Sequence, residues 1–144
     1  MGSERFRLPP SARTLIKGSV EVALRKRGFI DHTVGLGIPM NWNTDESPPH
    51  VQVDGDGTPA IEKGWGRVTP ASHRGPVRIT VWDRGTTTAE RVANILLAML
   101  LVERPPLGIS SILPGTGIIT DRDPDTGAEL ASFTLRCTTI PLPI

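Results

Sequence analysis

Two adjoining stretches with different apolar periods constrain this chain most. Over residues 77–83 (VRITVWD), Val77, Ile79 and Val81 fall on one face and Arg78, Thr80 and Trp82 on the other, which is the period of a strand. Arg84 and Gly85 turn the chain. A helix over residues 87–103 is predicted next. Thr87-Thr88-Ala89-Glu90 has the spacing of a capping box at its start, and Pro105-Pro106 blocks continuation past its end. Val92, Ala93, Ile95, Leu96, Leu97, Met99, Leu100 and Leu101 cover nearly the whole circumference of this helix. A helix apolar all round must be buried on more than one side, so a sheet alone does not satisfy it. In a chain this small it implies a partner surface.

The remaining elements follow from the same two periods. Ala12, Leu15, Ile16, Val20, Ala23 and Leu24 recur at helical spacing, with Arg13, Lys17, Glu21 and Arg25 on the opposite side. This predicts an amphipathic helix over residues 11–27. Ser11 is its N-cap, Gly28 its stop, and Phe29 packs back on Leu24 in a Schellman motif. Residues 50–54 (HVQVD) suit a short half-buried strand. Residues 117–121 and 128–140 flank Asp123-Pro-Asp-Thr-Gly127 and read as a hairpin. Ala131, Phe133, Leu135 and Cys137 share one face of its second strand. Residues 30–50 and 55–76 are broken by glycine and proline, so the first reads as a long connection and the second as an extended loop or irregular hairpin. The prediction is a single α+β domain over residues 1–144: one mixed or mostly antiparallel sheet packed with two helices.

Composition removes several classes of function. Sixteen basic residues against fifteen acidic give a net charge of +1, without the excess that phosphate neutralisation demands of a dedicated DNA-binding domain. The basic side of the first helix, interrupted by Glu21, reads as a solvated surface. A single cysteine, Cys137, rules out an internal disulfide and any multi-thiolate metal site, and so requires no oxidising compartment. Residues 1–10 lack an apolar core and the longest apolar stretch, residues 95–102, is far shorter than a membrane span. Neither a signal peptide nor a transmembrane helix is expected.

Candidate chemistry is sparse. Asp54-Gly-Asp-Gly-Thr58 and Asp121-Arg-Asp-Pro-Asp125 superficially resemble calcium loops. Pro59 and Trp65, and Thr126 and Ser132, stand where the sixth-position glycine and the twelfth-position carboxylate belong, so both read as turns. His32, His50 and His73 have no metal-ligand spacing and read as solvated loop residues. Cys137 alternates with Phe133 and Leu135 on an apolar face, where a thiol is inert. A small enzyme using Cys137 with His50 or His73 is the alternative from another class. No nucleophile elbow, Walker A motif or dinucleotide fingerprint occurs, and no catalytic, metal-binding or cofactor-binding residue is assigned. Apolar surplus is left over instead: the second helix, Trp42 and Trp65 in loops, and the Ile140-Pro-Leu-Pro-Ile144 segment. Surplus of this kind points to protein interfaces.

The run over residues 77–101 (VRITVWDRGTTTAERVANILLAMLL), followed by Asp123-Pro-Asp-Thr-Gly-Ala-Glu-Leu-Ala-Ser-Phe-Thr-Leu-Arg136, resembles tail terminator proteins of long-tailed phages infecting actinobacteria. The resemblance is firmest over residues 77–138 and looser over 5–54. It implies a virion structural protein, made in the host cytoplasm, that assembles as a hexameric ring at the head–tail junction. Such a ring caps the tail tube, stops its polymerisation and offers the head its docking face. The implied partners are further copies of the chain, the tail tube protein and a head–tail connector or stopper, with genomic DNA only passing through the channel. No catalysis and no cofactor are implied. Other neck proteins, stoppers or adaptors, are the neighbouring alternative. The candidate assembly residues are Trp65, Val68, Leu97, Leu101, Ile140, Leu142 and Ile144. Residues 55–76, 5–10 and 140–144 are the expected arms reaching a partner.

Overall fold

The computed structural model describes residues 11–55, 60–63 and 70–140, without the side chains of 60–63 and 70–73. Its elements run α1 (Ala12–Lys26), β1 (Thr33–Gly35), β2 (His50–Gly55), β3 (Ala60–Lys63), β4 (Pro70–Asp83), α2 (Thr86–Val102), β5 (Ile109–Pro114), β6 (Ile119–Arg122) and β7 (Glu129–Thr139). The fold is α+β, one mixed sheet with two helices.

Two long strands organise the sheet. β4 and β7 pair antiparallel over eleven positions, from His73 opposite Thr139 to Asp83 opposite Glu129. Each carries two short strands on its other edge. β2 pairs β4 along Val77–Trp82 and β3 pairs it along Pro70–Arg74; β5 and β6 pair the two ends of β7. β1 adds a short parallel pairing to β2, the one parallel ladder among the described residues.

Strand alternation separates two faces. Val51, Val53, Val77, Ile79, Val81, Ala131, Phe133, Leu135 and Cys137 point to the core, where Ile16, Val20 and Leu24 of α1 and Val92, Ala93, Leu96 and Leu100 of α2 meet them. Both helices therefore lie on one side. The other face carries Gln52, Arg78, Thr80, Thr134, Arg136 and Thr138, and no helix among the described residues covers it.

Helix ends only partly follow the sequence rules. At the end of α1 the Schellman motif forms: Phe29 N–H donates to Leu24 O at 2.9 Å and Gly28 N–H to Arg25 O at 3.1 Å, with Gly28 at φ 80°. Ser11 does occupy the N-cap but makes no side-chain cap bond. The capping box of α2 is not formed. Helical geometry begins at Thr86 with Gly85 as N-cap, so Thr87 already lies inside the helix and no side chain caps it.

Two stretches read as connection or loop contain strands, and a third strand, β5, lies where none was predicted. Residues 60–63 and 70–76 form the β3–β4 hairpin, with a register shift at Glu62/Lys63, so the extended-loop reading of 55–76 is corrected to the irregular hairpin. β1 lies within the connection over residues 30–50. β5 follows α2. The turn between β6 and β7 forms as expected: Asp123 Oδ2 accepts from Thr126 N and Oγ1 at 2.9 and 2.6 Å, and Gly127 takes φ 74°.

Candidate functional site

The structure resolves much of the apolar surplus inside the subunit. α2 packs on β4 and β7, on α1 and on β5, burying Ala89, Val92, Ala93, Leu96, Met99 and Leu100. Ile95 and Leu97 are half-buried against the same core. The all-round apolar character of α2 is thus largely an internal requirement, set by contact with a sheet, a helix and a strand at once. Only its C-terminal end is left over: Leu101 is 37% and Val102 84% exposed, and Leu107 just beyond is 78% exposed.

Trp42 also moves out of the surplus. It is buried rather than exposed, meeting Trp82 edge to face and donating Nε1–H to Pro48 O at 3.1 Å. With Ala128 and Leu130 it forms a second small core at one end of the outer sheet face. The loop carrying Trp42 is tied down by Thr44, whose hydroxyl donates to Thr126 O at 2.5 Å, and by Arg84, which donates to Asp45 O at 2.7 Å. A long loop with one tryptophan reads as exposed in sequence because nothing local shows where it folds back.

Of the seven assembly residues expected from sequence, Leu101 and Ile140 lie at the surface, the latter 39% exposed, and Leu97 belongs mainly to the core. Trp65, Val68, Leu142 and Ile144 lie outside the described residues, as do arm residues 5–10. Sequence reasoning missed a second apolar place. On the outer sheet face Leu113, opposite Arg136, is 57% exposed, and Ile119, opposite Ser132, is 54% exposed. Leu113 lines a groove of about 640 Å³ together with Arg74, Pro76, Ser111, Thr116, Thr134 and Arg136. The signal was present in the strand pairing but not in the periodicity of either short strand.

The titratable candidates are placed differently from expectation. His50 is not a solvated loop residue: it opens β2 and is 2% exposed. Its Nε2–H donates to Gly37 O at 2.6 Å and its Nδ1 accepts from the Thr33 hydroxyl at 2.7 Å, which fixes one neutral tautomer. Burial holds its pKa below the ordinary 6.5, partly opposed by the bond to Gly37. His32 is half-buried, edge to face with Phe29 at 5.3 Å, and burial lowers its pKa too, against the pull of Asp83 and Asp31. His73 stands opposite Thr139 in β4. Cys137 faces the core, and burial pushes its thiol up to about 11. A thiol so placed is not a nucleophile in waiting. Asp54 Oδ1 accepts from Gly55 N and from Arg13, and Asp123 caps its own turn, so both carboxylates serve turn and surface geometry. No cluster of three possible metal ligands occurs among the described residues.

No family model matches the chain, and no curated protein matches it. No helix among the described residues is long and apolar enough to cross a membrane.

Proposed function

We propose that the chain is a virion structural protein, the tail terminator of a long-tailed phage, which assembles as a homohexameric ring. The ring caps the tail tube, ends its polymerisation and provides the face to which a head–tail connector docks. It acts by shape and stoichiometric binding.

One observation carries this reading: among the apolar side chains left exposed, two groups stand on opposite sides of the sheet. Leu101, Val102 and Leu107 lie at the end of α2, on the helical side, and Leu113 and Ile119 lie on the uncovered side. A closed ring of identical subunits makes heterologous contacts, in which one patch meets a different patch on the next copy. A two-fold dimer needs only one such patch. The placement of His50 and Cys137 adds support, since both are consumed by packing and neither is left for chemistry.

Purified protein mixed with isolated tail tubes and imaged by negative stain tests the reading. Rings of six seated on tube ends are the expected result. Binding to portal-side proteins with no affinity for tubes would instead assign the chain to the adaptors, and a lone monomer indifferent to both would end the proposal.

A further inference from the structure

The outer sheet face differs from end to end in both shape and charge. Where β3 and β5 flank β4 and β7 it is recessed, and the groove of about 640 Å³ lies there with Arg74, Arg136 and Leu113 along it. Both arginines are exposed, and Arg136, opposite Leu113, has no ion pair among the described residues. Asp54, opposite Arg78 further along the face, is held by Arg13 at 3.3 Å.

At the other end the face is raised. The loop over residues 36–49 crosses it there, fixed by Trp42 on Trp82 and by Thr44 on Thr126. This loop presents Met40, 91% exposed, and the exposed side chains of Asp45 and Glu46. Arg84 stands beside them but binds the Asp45 backbone oxygen, at 2.7 Å.

These two ends cannot satisfy each other within one subunit. Trp82, under the loop, stands opposite Leu130, and Arg136 lies six residues further along β7, about 20 Å away at the rise of a strand. Exposed charges are screened over roughly 8 Å at physiological salt. The raised end sets an apolar side chain beside acids, and the recessed end sets one beside bases. A second copy related by a two-fold axis brings each end onto its complement, twice in one contact. A long polyanion fits this face less well, because it would run across the acidic loop.

We infer that the outer faces of two copies pair about a two-fold axis, the loop of each seated in the groove of the other, with Met40 against Leu113 and Glu46 against Arg136. Exposed charges meeting over part of one face make a weak contact, so the pair forms at low salt and high concentration and the dilute chain is a monomer. The inference goes beyond the ring reading and does not rest on it. Leu113 cannot face a two-fold mate and a ring neighbour at once, so the pair opens before a ring closes.

Sedimentation velocity of the full chain at about 0.05 M and about 0.5 M NaCl tests it, with Arg136→Glu, Glu46→Arg and the two combined in one chain. Both positions are exposed, and circular dichroism checks that each variant keeps the parent fold. At low salt the parent shifts from monomer to dimer as concentration rises, and high salt weakens the pair. Each single reversal raises the dissociation constant on the order of tenfold or more, because like charges then meet at both contacts. The double variant pairs like the parent, and so does an equimolar mixture of the two single variants, in which every contact again joins opposite charges. Should Arg136→Glu fail to fold, Leu113→Glu takes its place in the same groove. A parent that stays monomeric at low salt and high concentration overturns the inference. So do single variants that pair as well as the parent, a mixture that fails to pair, or assembly beyond two copies. Rings on tube ends are read separately, so either reading can fail alone.

Discussion

The indole rings of Trp42 and Trp82 meet edge to face with centroids 5.7 Å apart, joining the loop after β1 to the outer face of β4. This contact, with the Trp42 bond to Pro48, holds the loop over one end of the sheet face that the two helices leave open. Trp42→Ala should therefore cost about 3–5 kcal/mol of unfolding free energy, the range for truncating a buried aromatic. Urea denaturation followed by far-UV circular dichroism measures it. A cost below about 1 kcal/mol would mean that the loop is held chiefly by Thr44 and Arg84.

Stability should depend on pH through His50. The folded state holds this ring neutral and below its ordinary value of 6.5, so the unfolded chain binds the proton more readily. Stability is complete above pH 6.5 and declines as pH falls through 6.5 toward the lower folded value. His32 is shifted in the same direction and adds to the slope. The difference between parent and His50→Gln, measured by denaturation from pH 7.5 to 5, should shrink as pH falls. A difference that is constant across this range would contradict the assignment.

Cys137 should resist alkylation in the native protein. Its thiol is buried and pushed up to about 11, so iodoacetamide at pH 8 reaches it only when the core opens. Intact-mass spectra should show labelling accelerated by denaturant in step with unfolding. Cys137→Ala should leave any assembly intact at a modest loss of stability, whereas Cys137→Asp places an unpaired carboxylate in the core and should abolish folding. Rapid native labelling would reopen the thiol-enzyme alternative.

The exposed end of α2 separates assembly from folding. Val102 is 84% exposed, so Val102→Glu should change subunit stability by no more than about 0.5 kcal/mol. The same change, combined with Leu101→Glu, should eliminate rings on tube ends in negative stain and leave a folded monomer in sedimentation velocity. Normal ring formation by the double variant would remove this patch from the interface.

What the sequence revealed follows from how regular each element is. The two helices and residues 77–83 carry clean periods; the helices' observed bounds fall close to those predicted, and residues 77–83 form the second half of β4. β5 was invisible for a physical reason. A register shift between Ile109 and Ser111 breaks the alternation, so Ile109 and Ile112, three residues apart, both pack toward the core. The first half of β4 was hidden by Gly75 and Pro76, which argue against a central strand. Pro76 is tolerated where β4 changes neighbour: β3 pairs it up to Arg74 and β2 from Val77. The candidate interface was half legible. Leu101 could be read from the helical wheel, but Leu113 and Ile119 come to share the outer face only because β7 pairs with two unremarkable short strands.

The strand that β4, β5 and β6 all pair with is β7, the last of the described elements to leave the ribosome. Until it emerges, β4 lacks its longest ladder, and neither α2 nor the short strands have a complete surface to rest on. Packing of this domain is therefore a late event in translation, and a nascent chain stalled before Glu129 would be a sticky intermediate for chaperones to shield.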